Sequence, residues 1–295
     1  MVILQYDNVE IKVTNPDKYF WPELKITKLD YIQHLVKLAP YFLKYTHDHP
    51  ITVIRYPHGF SGKSFFQKNI PTYTPEWVST LAMDDKIYIH LDSIPTLAWL
   101  GSQAALEFHT PFNDYQHPDH PSSLVFDLDP SAGQDFSHVS QAALLVYEVL
   151  SSLNIKSFIK TSGASGLQVY IPIGRQYTYD EARKINHFFA TYFSTKYPKQ
   201  FTMERSIKKR GKKLYFDYLQ MWHGKTIITP YSPRAVESAN VATPITWAEL
   251  KSGCHPSDFN LINIHDRLDS KGDLLDSLHS NQTQNLSFIF EKIEK

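Results

Sequence analysis

"SSLVFDLDPS", residues 122–131, runs through an apolar stretch into two aspartates one residue apart and stops at a proline. Alternate side chains of a strand share a face, so Asp127 and Asp129 point one way and Leu128 the other. Two carboxylates held that close repel unless something offsets them, and a divalent cation would. "LYFDYLQ", residues 214–220, sets Asp217 in the same apolar surroundings. If the two strands are neighbours, three carboxylates converge. Mg²⁺ and Mn²⁺ prefer such oxygen donors, and two ions about 3.5–4 Å apart can activate an attacking oxygen and stabilise a leaving one. The bland alternative is a set of aspartates that cap turns at strand ends.

Outward from this strand, "VILQYDNVEIKV" alternates around Asp7-Asn8 as a β-hairpin, and Thr27 caps a helix in "TKLDYIQHLVKLAPYFLKYT". "ITVIRYP" reads as a strand, and "PTLAWLGSQAALEFH" reads as helical to near His109. "VSQAALLVYEVLSSLN" and "YDEARKINHFFATYFSTKY" are helices, and "SFIKTSG" and "LQVYIPI" are strands. "KKLYFDYLQ" and "KTIITPYS" look like a strand pair, "TWAELKSG" is a short capped helix, and a last helix lies near "LSFIFEKIEK". The irregular mixture indicates an α+β fold rather than a doubly wound sheet. No repeat or linker divides the chain. "LDSKGDLLDSLHSNQTQNLS" is the nearest candidate connection, so we expect one catalytic domain over 1–270, with an N-terminal lobe at about 1–50, and a helical extension over 271–295.

The chain has 295 residues, with 30 basic and 30 acidic side chains, so only local patches can speak for nucleic acid. One cysteine, Cys254, excludes a disulfide framework and a multi-cysteine metal site. The first residues lack a basic n-region, and no window approaches the ~20 apolar residues of a membrane helix. The expectation is a cytoplasmic, nucleoid-associated protein with no membrane partner.

Three further stretches bear on function. "KTSGASGLQVYIP" is strand, Ser/Gly turn and strand, and its backbone N–H groups could hold an anion, though an ordinary hairpin turn explains it too. "ERSIKKRGKKLYFDYLQ" carries Arg205, Lys208, Lys209, Arg210, Lys212 and Lys213 just before Asp217, as a solvated loop or a funnel for polyphosphate. "GKSFFQKN" sets Phe65 and Phe66 between Lys63 and Lys68. One of the two rings should face outward, where it suits base stacking, though one ring in the core and one shielded by a loop explains the pair too.

Together these motifs resemble the polymerase domain of the bacterial non-homologous end-joining ligase (ligase D type), in the archaeo-eukaryotic primase superfamily. The likeness runs in order from "NPDKYFWPELKITKLDY" through "RYPHGFSGKSFFQKN", "LAWLGSQAALEFH", "LVFDLDP", "KTSGASGLQVYIP" and "YFDYLQ" to "TIITPYSPRAVESANVATPITWAEL". It implies a catalytic core of two mixed or antiparallel sheets flanked by helices, with a cleft between the sheets. It implies that Asp127, Asp129 and Asp217 bind two Mn²⁺ or Mg²⁺ ions and carry the catalysis. Arg55, His109, Ser162, Ser165, Arg210, Gln220 and Arg234 fall at nucleotide-binding positions. Phe65, Phe66 and Lys68 fall at DNA-binding positions, and Lys18 and Lys28 match a pair that holds the 5′-phosphate of a downstream strand. The family loop commonly reads S-G-x-K-G-x-H, whereas this chain has "SGASGLQ", with Ser165 for Lys and Gln168 for His. Loss of one charge-assisted contact is worth roughly 1.5–3 kcal/mol, tenfold or more in nucleotide affinity.

The function implied is a template-dependent nucleotidyltransferase that adds rNTPs or dNTPs to a 3′-OH at broken or gapped DNA bearing a 5′-phosphate. Ku and a separate DNA ligase are candidate partners, because the chain shows no ligase or nuclease motif. A catalytically weakened DNA-end-binding module of the same fold is the alternative, motivated by Ser165 and Gln168. "VFDLDPS" also superficially fits a haloacid-dehalogenase-type phosphatase, but 126 residues precede Asp127 and Asp217 has no role in that scheme.

Overall fold

The computed structural model describes residues 1–83, 85–279 and 283–293. The chain forms two compact units, each assembled from separated segments. The first comprises 1–116, 226–242 and 257–272, and the second 117–225, 243–256 and 273–295.

In the first unit, Val2–Tyr6 and Val9–Val13 form the expected hairpin, and Asp7 and Asn8 both take positive φ at its turn, as a two-residue primed turn requires. The helix Lys28–Phe42 starts at a reciprocal cap, in which Thr27 accepts from the Asp30 N–H and Asp30 accepts from Thr27. Tyr31, Ile32, Leu35, Leu38 and Phe42 form its buried stripe. An antiparallel sheet runs in the order Thr226–Ile228, Ala105–Pro111, Thr52–Arg55, Phe65–Gln67. The expected helix through His109 is corrected here: it spans Ile94–Ser102, and Ala105–Pro111 is a strand. Ala104 turns the chain in the left-handed region. Pro95 through Ser102 are all buried, so the helix has no polar face and its period disappears into the buried strand that follows.

His34 on the first helix meets His265 on the helix Ile264–Lys271, with Nδ1 3.2 Å from Nε2 and the rings stacked. One ring must donate and the other accept, so the contact is lost when both rings are protonated. Burial, then the charges of His265 and Lys37, take His34 down to about 4, against an opposing pull from Asp30. Burial and Lys37 also lower His265, against Asp269 and Asp266. A depressed histidine means that the unfolded chain takes up the proton first, so stability is complete above about pH 6.5 and declines toward pH 4. Allowing for partial exposure, we expect a loss of about 1–2 kcal/mol over that window. Denaturant melts of the wild type and of His34→Gln at pH 7.5 and 4.5 test it, and an equal decline in both refutes it.

In the second unit, a mixed sheet runs in the order Phe201–Thr202, Leu214–Phe216, Ser123–Asp129, Leu167–Pro172, Phe158–Thr161, Pro244–Ile245, with the first pair parallel and the others antiparallel. The helix Phe136–Ser152 begins at Asp135, and Tyr179–Lys196 at a Thr178–Glu181 capping box. Phe126 and Phe216 pack on Phe189 and Phe193, and buried Asn186 donates to Val125 O. Phe126 therefore faces the helix, and Asp127 takes the other face of its strand. The expected strand pair "KKLYFDYLQ" and "KTIITPYS" is also corrected: Leu214–Phe216 joins this sheet, while Thr226–Ile228 pairs with Ala105–Pro111. The 3₁₀ turn Tyr218–Gln220 and the turn closed by Lys225 N–H to Trp222 O divert the chain between them.

Trp247–Lys251 is the short capped helix. The candidate connection contains the helix Asp276–His279, and its residues 280–282 lie outside the described ones. The last helix is Phe288–Ile293. Among the described residues, no helix is long and apolar enough to cross a membrane.

Candidate functional site: a carboxylate cluster and its cationic companions

The second unit holds the carboxylates. Asp127 and Asp129 end the strand Ser123–Asp129, and the register Leu128↔Phe216 and Asp129↔Tyr215 brings in the strand that leads to Asp217. Asp217 itself has left that strand, a correction to its expected place on it. It caps the 3₁₀ turn, accepting from the Leu219 N–H at 3.0 Å and the Tyr215 hydroxyl at 3.2 Å. Burial first, then the Asp129 charge, push Asp127 up to about 7, and Asp217 adds to the push. The Gln168 hydrogen bond and the Lys160 charge oppose it. Asp129 lies directly over Gly166, where an added Cβ would strike Asp129 Oδ1 and come within 2.9 Å of Leu128 O.

The turn beside them is a tight hairpin. Ser162 is buried and its Oγ accepts from Ala164 N at 3.3 Å and Gly166 N at 3.0 Å. Two of the N–H groups expected to hold an anion are thus already engaged by Ser162. Ser165 is exposed at the tip. Gln168 bridges Lys160 and Asp127: Lys160 Nζ donates to its Oε1 at 2.6 Å, and its Nε2 donates to Asp127 Oδ1 at 3.1 Å. From the basic tract, Arg210 stacks 3.8 Å over the Tyr215 ring and donates to Glu204 O and Arg205 O. Gln220 ends the 3₁₀ turn that Asp217 begins.

The first unit gathers cations and aromatics. His109 and Arg234 both meet buried Glu107, with Nε2 and Nη1 each 3.3 Å from Oε2, while Ala235 N donates to Oε1 at 3.1 Å. Burial pushes the Glu107 carboxyl up, but His109, Arg234 and the Ala235 N–H together hold it below its ordinary value. Glu107 is a residue that sequence reasoning missed. Its signal was the one charged position in "LEFH", on the same strand face as His109. Arg234 Nε is buried with no hydrogen-bond partner among the described residues.

Lys18 donates to Pro57 O at 2.7 Å and Lys28 to Thr14 O at 3.0 Å. Burial, then the charges of Lys18 and Arg55, lower the Lys28 ammonium, so the three cations form one electropositive group. Arg55 also donates to Gln103 O, Gln67 and Tyr73 and lies 5.1 Å over the Phe65 ring. Phe65 and Phe66 are 45% and 71% exposed on the edge strand Phe65–Gln67, so both rings are solvated where one was expected. Lys68 follows that strand and is exposed.

Among the described residues, no group of three or more His, Cys, Asp or Glu side chains is gathered closely enough to hold a metal ion by itself. The donor chemistry fits a hard divalent cation all the same. The charges of Asp129 and Asp217 raise the proton affinity of Asp127, and a metal with phosphate or water as its remaining ligands would relieve that repulsion.

Comparison with known proteins bears on the family and the fold. Residues 27–275 match the model of the family described as LigD, primase-polymerase domain. The chain is 39% identical over 288 residues to the bifunctional non-homologous end joining protein LigD of Bacillus subtilis, covering 97% of this chain and 47% of that protein. It is 29% identical over 271 residues to the multifunctional non-homologous end joining protein LigD of Mycolicibacterium smegmatis, covering 90% and 35%. It thus spans about half the length, or less, of these curated relatives. The solved polymerase domain from Mycobacterium tuberculosis ligase D in complex with DNA superposes with a TM-score of 0.82 at 29% identity, covering 92% of this chain and 98% of that one. A family match over most of the chain, carried on the same α+β architecture, leads to one conclusion: the chain belongs to the LigD primase-polymerase domain family.

Proposed function

We propose that the chain is a template-dependent nucleotidyltransferase that adds rNTPs or dNTPs to a 3′-OH at DNA ends or gaps during end joining. The observation that carries this reading is the strand register that sets Asp127 and Asp129 beside the strand Leu214–Phe216, which leads into Asp217. These three residues would hold two Mn²⁺ or Mg²⁺ ions, one to lower the pKa of the 3′-OH and the other to neutralise the triphosphate and leaving pyrophosphate. The chain's own groups position the substrates. His109 and Arg234, anchored by Glu107, offer donors to phosphate. Arg55, Ser162, Arg210 and Gln220 add polar contacts, and exposed Ser165 adds no charge. Lys18 and Lys28 receive a 5′-phosphate, and Lys68 with the rings of Phe65 and Phe66 receives a template end. Partnership with Ku and with a DNA ligase activity follows from the end-joining role.

Primer extension on a gapped duplex with a 5′-phosphate, rNTPs or dNTPs and Mn²⁺ is the test. Templated addition is expected, and no extension at any Mn²⁺ concentration overturns the proposal in favour of an end-binding module. Base–aromatic stacking is worth about 1–3 kcal/mol. Phe66→Ala should therefore raise the DNA concentration for half-maximal extension about tenfold. Because the ring is 71% exposed, thermal stability should stay unchanged. Unaltered DNA dependence would remove Phe66 from the interface.

A further inference from the structure

Lys160 has no exposed surface. Burying an ammonium costs several kcal/mol unless its donors are satisfied, so its partners explain its presence. The register places Lys160 opposite Gln168 and Gln168 opposite Asp127, a row across three adjacent strands. Lys160 Nζ donates to Gln168 Oε1 at 2.6 Å and to Thr161 O at 3.3 Å, and Gln168 Nε2 donates to Asp127 Oδ1 at 3.1 Å. An amide can be seated two ways round, but an ammonium can only donate. Turned over, the Gln168 NH₂ would face the ammonium and its carbonyl the carboxylate, and both contacts would repel. Lys160 therefore decides which end of Gln168 meets Asp127.

We propose that Lys160 and Gln168 are positioning residues for Asp127. The buried ammonium fixes the polarity of the amide, and the amide holds the carboxylate by Oδ1 so that Oδ2 is the oxygen offered to a divalent cation. This rests on the metal-binding role proposed for Asp127. Groups that orient a metal ligand commonly change metal affinity 10–100-fold when removed. A neutral imidazole could serve the same relay, accepting from Lys160 at one nitrogen and donating to Asp127 from the other. Gln168→His is thus the conservative variant, and Gln168→Leu the one that can do neither.

The experiment is a calorimetric Mn²⁺ titration of the full chain without DNA or nucleotide, beside a thermal melt of each variant. Gln168→Leu should bind Mn²⁺ about tenfold more weakly, and Gln168→His should stay within about threefold of wild type. In a Lys160→Met background, Gln168→Leu should cost less than about twofold more, because the two residues act as one unit. Wild-type affinity in Gln168→Leu, an equal loss in Gln168→His, or additive losses in the double variant would each overturn the inference. If Lys160→Met does not fold, the Leu and His variants decide it alone. A wild type that binds no Mn²⁺ overturns the metal role of Asp127 and this inference with it, whereas Mn²⁺ binding indifferent to Gln168 overturns only the latter.

Discussion

Asp127→Asn is expected to extend primers at least a thousandfold more slowly than the wild type and yet to melt at a higher temperature. The activity loss follows from removing one of three carboxylates whose combined charge would hold the metal. The stability gain follows from the same crowding. Burial and the charges of Asp129 and Asp217 raise Asp127 to about 7 from an ordinary value of 3.8. A carboxyl raised on folding loses stabilisation as pH climbs from its unfolded to its folded value, so at pH 8 the wild type bears the whole cost. Asparagine carries no charge, has the same shape, and can still accept the Gln168 N–H. After allowance for the partial exposure of the side chain, the gain is about 1–2 kcal/mol, or about 2–4 °C. Calorimetric melts without metal should show it at pH 8 and show it shrinking at pH 5. Retained extension, or a lower melting temperature at pH 8, contradicts the argument.

Gly166→Ala should cost at least about a hundredfold in extension rate. The added methyl would land on Asp129 Oδ1 and 2.9 Å from the Leu128 carbonyl. The loop cannot withdraw easily, because Gly166 is tied to Ser162 on both sides: its N–H donates to Ser162 Oγ and its carbonyl accepts from the Ser162 N–H, each at 3.0 Å. Asp129 can rotate away but the backbone carbonyl cannot, so the carboxylate loses its place and the sheet must shift. Overpacking of that kind costs about 1–3 kcal/mol. Urea melts and Mn²⁺-dependent extension measure the two effects. Wild-type activity in this variant would mean that Asp129 tolerates displacement.

Much of the architecture was legible from local chemistry. The Asp7-Asn8 turn, the Thr27 cap and the two long helices of the second unit appear where their signals lie. The differences have two causes. The helix Ile94–Ser102 is buried all round, so neither its end nor the start of Ala105–Pro111 leaves a periodic trace. Thr226–Ile228 is a strand as expected, but its pairing differs because its partner comes from a distant segment. At the candidate site, Asp127 and Asp129 were readable as a pair because their spacing is local. Glu107 acquires meaning only beside Arg234, and Lys160 only through the register with Gln168. Both pairings depend on how remote segments are brought together, which spacing along one strand does not encode.

The segmented make-up of the two units bears on how the chain matures at the ribosome. It passes from one unit to the other after residues 116, 225, 242, 256 and 272. The first unit therefore lacks its last segment until residue 272 has been synthesised, although its hairpin and capped helix belong to its first segment. Emerging at about 5–20 residues per second, the nascent chain spends many seconds with unpaired strand edges and uncovered apolar faces. Non-local pairing of that kind folds slowly. A stalled or truncated product would hold neither unit whole, which makes this a chain to be produced in one piece and a natural client for chaperones that shield nascent polypeptides.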